Sequence, residues 1–174
     1  MKTIKRYLKA KHIGENKLAV LDKIEELTGP EFIVTGSLSL WEHDIITRTV
    51  NDIDIFMKIK GITKLQSAGY KVTSFLNRDY GPKQNDTDIS DLIAQLYIND
   101  VKVDIFEWQY GIVHKKLSYL GSRRFNVAVP GYSIAAKEEY LKNDKGYMTT
   151  ESIEKHESDI RNYNEWLKLE ELIY

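Results

Sequence analysis

The stretch Gly36 to Asp54, GSLSLWEHDIITRTVNDID, decides how this chain is read. It opens on a Gly-Ser pair directly after the apolar run Phe32-Ile33-Val34. It closes on two aspartates one residue apart, within Asn51-Asp52-Ile53-Asp54-Ile55-Phe56. In a strand successive side chains point to opposite faces, so Ile53 and Ile55 can be buried while Asp52 and Asp54 share the other face. Residues two apart rise by roughly 6.6 Å, which lets both carboxylates reach one ion-sized space. Two acids that close repel unless protons or cations compensate. A divalent metal is the simplest compensation, and Mg²⁺ favours one or two carboxylates plus substrate phosphates.

The Gly-Ser pair supplies the other half. Glycine permits close backbone approach, and Ser37 can cap a short helix running through Trp41 while its hydroxyl faces an anion. Phosphates beside a carboxylate-bound metal mean nucleotide chemistry. A bland reading of Asp-x-Asp is a solvated acidic edge, but that does not explain aspartates set among Ile, Val and Phe.

Composition bounds the rest. At 174 residues, 42% hydrophobic and 29% charged, the chain reads as an ordinary globular protein able to bury a core. A formal net charge of -1 gives no global field towards nucleic acid or membrane. The absence of cysteine excludes disulfides and Cys-based zinc sites. No apolar run suggests a signal peptide or membrane span, so a cytoplasmic location is the expectation.

In chain order, residues 1 to 13 read as a lysine-rich amphipathic helix. Leu18, Leu21, Ile24 and Leu27 recur at intervals of three, predicting a helix over Glu15 to Thr28 that Gly29-Pro30 ends. A strand follows over Glu31 to Thr35. Ile62 to Ala68 reads as a short helix stopped by Gly69, then a strand over Tyr70 to Phe75, then a polar loop over Asn77 to Asp91. Ala94 to Ile98 and Val101 to Trp108, joined by Asn99-Asp100, read as a β-hairpin. Its second arm puts Val101, Val103 and Ile105 on one face and Lys102, Asp104 and Phe106 on the other. Asp104 is thus a lone acid on an otherwise buried strand. Phe125 to Val129 is strand-like, Pro130-Gly131 opens a helix over Tyr132 to Lys142, and the tail from Thr150 is helical.

These residues resemble the nucleotidyltransferase superfamily, the DNA polymerase β-like fold. Its pattern is an apolar strand, a Gly-Gly or Gly-Ser turn, a short helix, Asp-x-Asp in the next strand and a third acid in a later one. Val34-Thr35-Gly36-Ser37, Arg48-Thr49-Val50-Asn51-Asp52-Ile53-Asp54 and Asp104 match it. Small members carry a Lys on a helix after a strand-Pro turn, where Lys137 fits, and then Lys-Asp-x-x-Asp-Ile. Lys155-His156-Glu157-Ser158-Asp159-Ile160 fits the latter except that His156 stands where Asp is usual, a departure that weakens a catalytic role for the tail.

The resemblance implies an α/β (α+β) fold, a mixed sheet flanked by helices. Residues 1–130 would form the core and 131–174 a helical portion packed on it, one compact domain. It implies transfer of an NMP from a nucleoside triphosphate to a hydroxyl acceptor, a small molecule or a protein side chain, with large RNA disfavoured by the near-neutral charge. Asp52, Asp54 and Asp104 are the expected catalytic residues and ligands of two Mg²⁺ ions, or Mn²⁺ in their stead. Gly36, Ser37, Arg48 and Lys137 are expected at the nucleotide. Two of these carry an open alternative: Arg48 as an exposed loop residue, and Lys137 on the polar side of its helix. The basic run His114 to Arg124 reads as a solvated loop rather than an acceptor site. Trp41, Trp108 and Trp166 read as packing residues. The alternative function is a non-catalytic module of this fold within a larger assembly.

Overall fold

The computed structural model describes residues 15–74, 92–107, 115–120 and 123–171. In chain order the elements are α1 (Glu15–Thr28), β1 (Phe32–Thr35), α2 (Gly36–Glu42), β2 (Ile53–Met57), α3 (Ile59–Ser67), β3 (Thr73–Ser74), β4 (Leu92–Ile98), β5 (Val101–Glu107), β6 (Lys115–Leu120), β7 (Arg123–Ala128), α4 (Pro130–Asn143), a 3₁₀ turn (Lys145–Tyr147) and α5 (Thr150–Glu171). The architecture is α/β: seven strands form one mixed sheet in the order β3-β4-β5-β2-β1-β7-β6. β2 lies parallel to β5 and β1 parallel to β7, while the remaining neighbours are antiparallel.

Alternation along the central strands separates the main core face from a second face that carries polar groups beside a small apolar cluster. Phe32 and Val34, Ile53 and Ile55, Val103 and Ile105, Phe125 and Val127 join Val20, Leu21 and Ile24 of α1, Leu38, Leu40 and Trp41 of α2, and Ile62 and Leu65 of α3 in the main core. Each fully buried side chain of this type contributes roughly 1.5–3 kcal/mol, so the register is firmly set. The opposite face carries only a small cluster, Ile33, Phe56 and Ala128 with Phe106 against it. α1 buries Val20 with Leu21 and Ile24 and leaves Leu18 and Leu27 half-buried, because a 3.6-residue repeat rotates the stripe away from every third residue.

Turn chemistry matches the residues. Asn99 (φ 48°) and Asp100 (φ 61°) both take the left-handed conformation that a two-residue hairpin turn needs. Gly29 closes α1 with φ +85° and donates its N–H to Glu25 O at 2.8 Å. Pro130 sits in the first turn of α4, where no backbone donor is missed.

Three local expectations are corrected. The N-cap of α2 is Thr35, with no side-chain cap bond, and Ser37 lies within the helix. Of the strand expected over Tyr70 to Phe75, Thr73 and Ser74, both exposed, pair with Gln95 and Ala94 of β4, Tyr70 to Val72 lie outside it, and Phe75 is outside the described residues. The run read as a basic loop is a hairpin of β6 and β7, with register Lys115↔Ala128 to Leu120↔Arg123. Its positive charges sit on strands: Arg123 pairs with Asp22 and Glu25 of α1, and Arg124 lies over the Tyr119 ring. Leu120 and Phe125 are its buried anchors. The expected segments 1–13 and 77–91, along with Trp108 and His114, lie outside the described residues. Trp41 is buried, and Trp166 packs against the core with its ring 5.8 Å from that of Tyr163. No described helix is long and apolar enough to cross a membrane.

Candidate active site

The polar face of the sheet sets the site. Asp54 stands opposite Thr35 of β1 on one side and opposite Asp104 of β5 on the other. Asp104 in turn stands opposite Gln95 of β4. One line of polar side chains therefore crosses four strands, each step set by ladder register. Asp52, just before β2, shares the face with Asp54. A carboxylate oxygen from each of Asp52, Asp54 and Asp104 lies within 4.8 Å of the others. The pairing of β5 beside β2 is what brings the third acid alongside the other two.

The three acids have different partners. Asp104 is buried; its Oδ1 accepts from Gln95 Nε2 at 2.6 Å and its Oδ2 accepts from Lys102 Nζ at 2.7 Å. Lys102 Nζ is also 3.7 Å from Asp52 Oδ2. Asp54 has no hydrogen bond among the described residues. Burial pushes the Asp54 carboxyl up to about 7, and the charges of Asp52 and Asp104 add to the rise, against Lys137 and Lys102. Burial also works against the Lys102 charge, but its hydrogen bond to Asp104 and the surrounding carboxylates outweigh that and hold it above its ordinary range.

Gly36 is built into this arrangement. Its φ of +60° is left-handed, and a Cβ there would meet the Asp54 side chain, 2.8 Å from Asp54 Cβ and closer still to the carboxylate. The Gly-Ser turn and the second aspartate occupy one space.

A second cluster comes from the helices and the loop before β2. Arg48 donates through Nε to Asp159 Oδ1 (3.2 Å) and through Nη2 to Asp159 Oδ2 (2.6 Å), and Nη2 also reaches Ser37 Oγ at 2.9 Å. Lys137 Nζ lies 3.2 Å from Asp159 Oδ2 and 3.3 Å from His156 Nδ1. Asp159 is 1% exposed and sits between two cations, Arg48 and Lys137. Burial lowers the Lys137 ammonium, with Asp159 and Asp54 opposing. Burial, then the charges of Lys137 and Lys155, depress His156 to about 4, leaving its ring neutral at ordinary pH. Ser133 sits one turn before Lys137 in α4. Its hydroxyl lies 3.1 Å from Ser39 Oγ and 3.4 Å from Thr35 Oγ, which fastens α4 to α2 and β1.

All seven residues singled out in the sequence thus form one continuous patch. Asp54 touches the Gly36 position, Ser37 bonds Arg48, and the charge of Lys137 acts on the Asp54 carboxyl. The two open alternatives are resolved against exposure: Arg48 is half-buried and Lys137 buried. Sequence reasoning missed Lys102, Gln95, Ser133 and the engagement of the tail through Asp159. The signal for Asp159 was there, in the Lys155 to Ile160 run. Gln95 had none, because its position opposite Asp104 is a fact of register.

No family model matches the chain, and no curated protein matches it in sequence. Two solved structures are similar. A provisionally assigned nucleotidyltransferase from Thermotoga maritima shares 20% identity with a TM-score of 0.57, over 78% of this chain and 91% of its own. The aminoglycoside nucleotidyltransferase ANT(2'')-Ia, solved with adenylyl-2''-tobramycin, shares 12% identity with a TM-score of 0.56, over 88% of this chain and 94% of its own. The chain shares the fold of these two structures.

Proposed function

We propose that the protein transfers an NMP from a nucleoside triphosphate to a hydroxyl group. The observation that carries the reading is the contact between two unlike clusters: three carboxylates within 4.8 Å of one another, and the Arg48–Lys137 cations beside the Gly36-Ser37 turn. A three-acid set with a raised Asp54 pKa fits a divalent cation, because such an ion removes the repulsion that raises it. Asp52, Asp54 and Asp104 would hold Mg²⁺, two ions in the full reading, with Mn²⁺ as substitute. Bound there, the metal supplies charge neutralisation at the attacking and leaving oxygens.

The chain's own groups do the rest. Ser37 Oγ accepts from Arg48, which leaves its O–H to donate to a phosphate oxygen. Gly36, with no side chain, leaves room for the phosphate chain beside Asp54. Lys137 and Arg48 would brace the β- and γ-phosphates, sharing their charge between Asp159 and the ligand. The acceptor oxygen forms its bond to the α-phosphorus as the bond to pyrophosphate breaks. Its proton passes to an Asp104 carboxylate oxygen. A small-molecule hydroxyl is a natural acceptor given the tobramycin derivative bound by one structural neighbour, with a protein hydroxyl as the other class. The reading is of a cytoplasmic enzyme, where both triphosphate and Mg²⁺ are at hand. A non-catalytic module would be expected to lose an acid or the Gly-Ser turn, and this chain retains both.

The deciding experiment is calorimetric titration of ATP, GTP, CTP and UTP, with and without Mg²⁺, on the wild type and on Asp52→Asn/Asp54→Asn. Metal-dependent binding of a triphosphate, lost in the double variant, is the expected result. No nucleotide binding by folded wild type would sink the proposal.

A further inference from the structure

Lys102 has no part in the reading above, yet among the described residues it is the cation paired directly with the acids. It lies on β5 two residues before Asp104 and so on the same face of the sheet. Its ammonium sits between two of the three carboxylates, 2.7 Å from Asp104 Oδ2 and 3.7 Å from Asp52 Oδ2. With Gln95 on Asp104 Oδ1, both oxygens of the third acid already carry donors. Asp54, by contrast, has no hydrogen-bond partner among the described residues.

A lone exposed lysine facing one carboxylate is worth little. This one faces two carboxylates of a cluster whose like charges repel, so removing it costs more than one exposed pair. When ionised, three carboxylates and one ammonium sum to two negative charges, which a single divalent ion balances. A second divalent ion would have to share Asp104 and Asp52 with the ammonium or displace it.

We propose that Lys102 is a resident cation that competes with a divalent ion for the Asp52–Asp104 side of the cluster. The nucleotide-free protein then holds one divalent ion, on Asp54 and the side of Asp52 away from Lys102. A second enters only once the ammonium has swung out. The Lys102 side chain is 34% exposed, and its long flexible stem allows that movement. The inference rests on the metal-dependent reading of the site and adds an order of loading to it.

The test is titration of Mn²⁺ into nucleotide-free wild type, Lys102→Met, Lys102→Gln and Lys102→Arg, following the free-ion electron paramagnetic resonance signal, with thermal melts to verify folding. The wild type and Lys102→Arg are expected to bind one ion. Both neutral variants are expected to bind a second, tighter by about tenfold or more than any second ion of the wild type, since a positive charge in near contact has been removed. Two ions of similar affinity in the wild type, or the same binding in all four proteins, would overturn the competition and leave the metal site standing. Failure of all four to bind Mn²⁺, even with nucleotide added, would overturn the reading of the site and the inference together.

Discussion

The strand-borne acids and the helix-borne ion cluster lie side by side and treat charge in opposite ways. Asp159 is almost fully buried, yet Arg48 and Lys137 satisfy it at 2.6 and 3.2 Å. Asp54 is more open, but it faces two further carboxylates and finds no hydrogen bond among the described residues. The helix-borne cluster is completed by the protein itself. The strand-borne cluster is left short of positive charge, and a deficit that the fold tolerates without filling is where binding energy for a cation can come from. Burial alone therefore does not separate a structural charge from a functional one; the partner inventory does.

The largest effect expected from breaking this contrast is catalytic. Asp52→Asn or Asp54→Asn should lower transfer by about a thousandfold or more, as loss of a metal-holding carboxylate does, with circular dichroism unchanged. Turnover retained in either variant, measured by pyrophosphate release, would remove the acids from the chemistry.

Next comes the helical cluster. Asp159→Asn leaves two cations without their shared anion and should cost about 3 kcal/mol of stability in urea denaturation. Arg48→Met added to that variant should recover part of the loss. An unaltered denaturation midpoint for Asp159→Asn would mean the cluster is solvated rather than closed.

The same Asp-to-Asn change among the strand acids should do the reverse. The folded Asp54 carboxyl titrates at about 7, above its ordinary value of 3.8. The native state thus holds a proton that the unfolded chain releases, and stability from this group is lost as pH rises through that interval. Asp54→Asn should match wild type near pH 4 and gain about 4 kcal/mol by pH 7 and above, as seen in denaturation at several pH values. A variant less stable than wild type at neutral pH would show that the repulsion is already relieved.

His156 slopes the other way. Its folded pKa of about 4 lies below the ordinary 6.5, so its contribution is present above 6.5 and falls as the unfolded chain takes up protons below it. Relative to wild type, His156→Gln should gain about 1 kcal/mol on acidification from pH 6.5 to 5. The smallest effect is at the junction of the clusters. Ser37→Ala removes one acceptor for Arg48 and should weaken triphosphate binding by about fivefold, close to one hydrogen bond. An unchanged apparent affinity would separate Ser37 from the phosphates.

Much of this site was legible because it is written in short-range patterns. Gly36-Ser37 and Asp52-x-Asp54 lie within one quoted stretch, and alternation alone places Asp104 on the polar face of β5. What escaped notice depends on long-range geometry. Gln95 meets Asp104 through a hairpin register, and Asp159 meets Arg48 across 111 positions of sequence, a pairing no local periodicity encodes. The β6 strand was lost for another reason: two lysines and an exposed Leu117 mask its alternation, because only Ser118 and Leu120 are buried among its described side chains.

The contact between Gly36 and Asp54 also fixes the order in which mutations can accumulate. Any side chain at 36 collides with the Asp54 carboxylate and must adopt a φ of +60°, which by itself costs about 1–2 kcal/mol. While the aspartate is present the glycine is irreplaceable; once the aspartate is shortened to a small residue the collision with the carboxylate is gone, and what remains is the backbone cost and the 2.8 Å approach to the Cβ at position 54. A copy of this chain drifting away from its chemistry would find the acid the cheaper residue to lose first. Glycine at 36 beside a non-acidic residue at 54 would thus be the mark of a recently silenced copy, and substitution at both positions that of an old one.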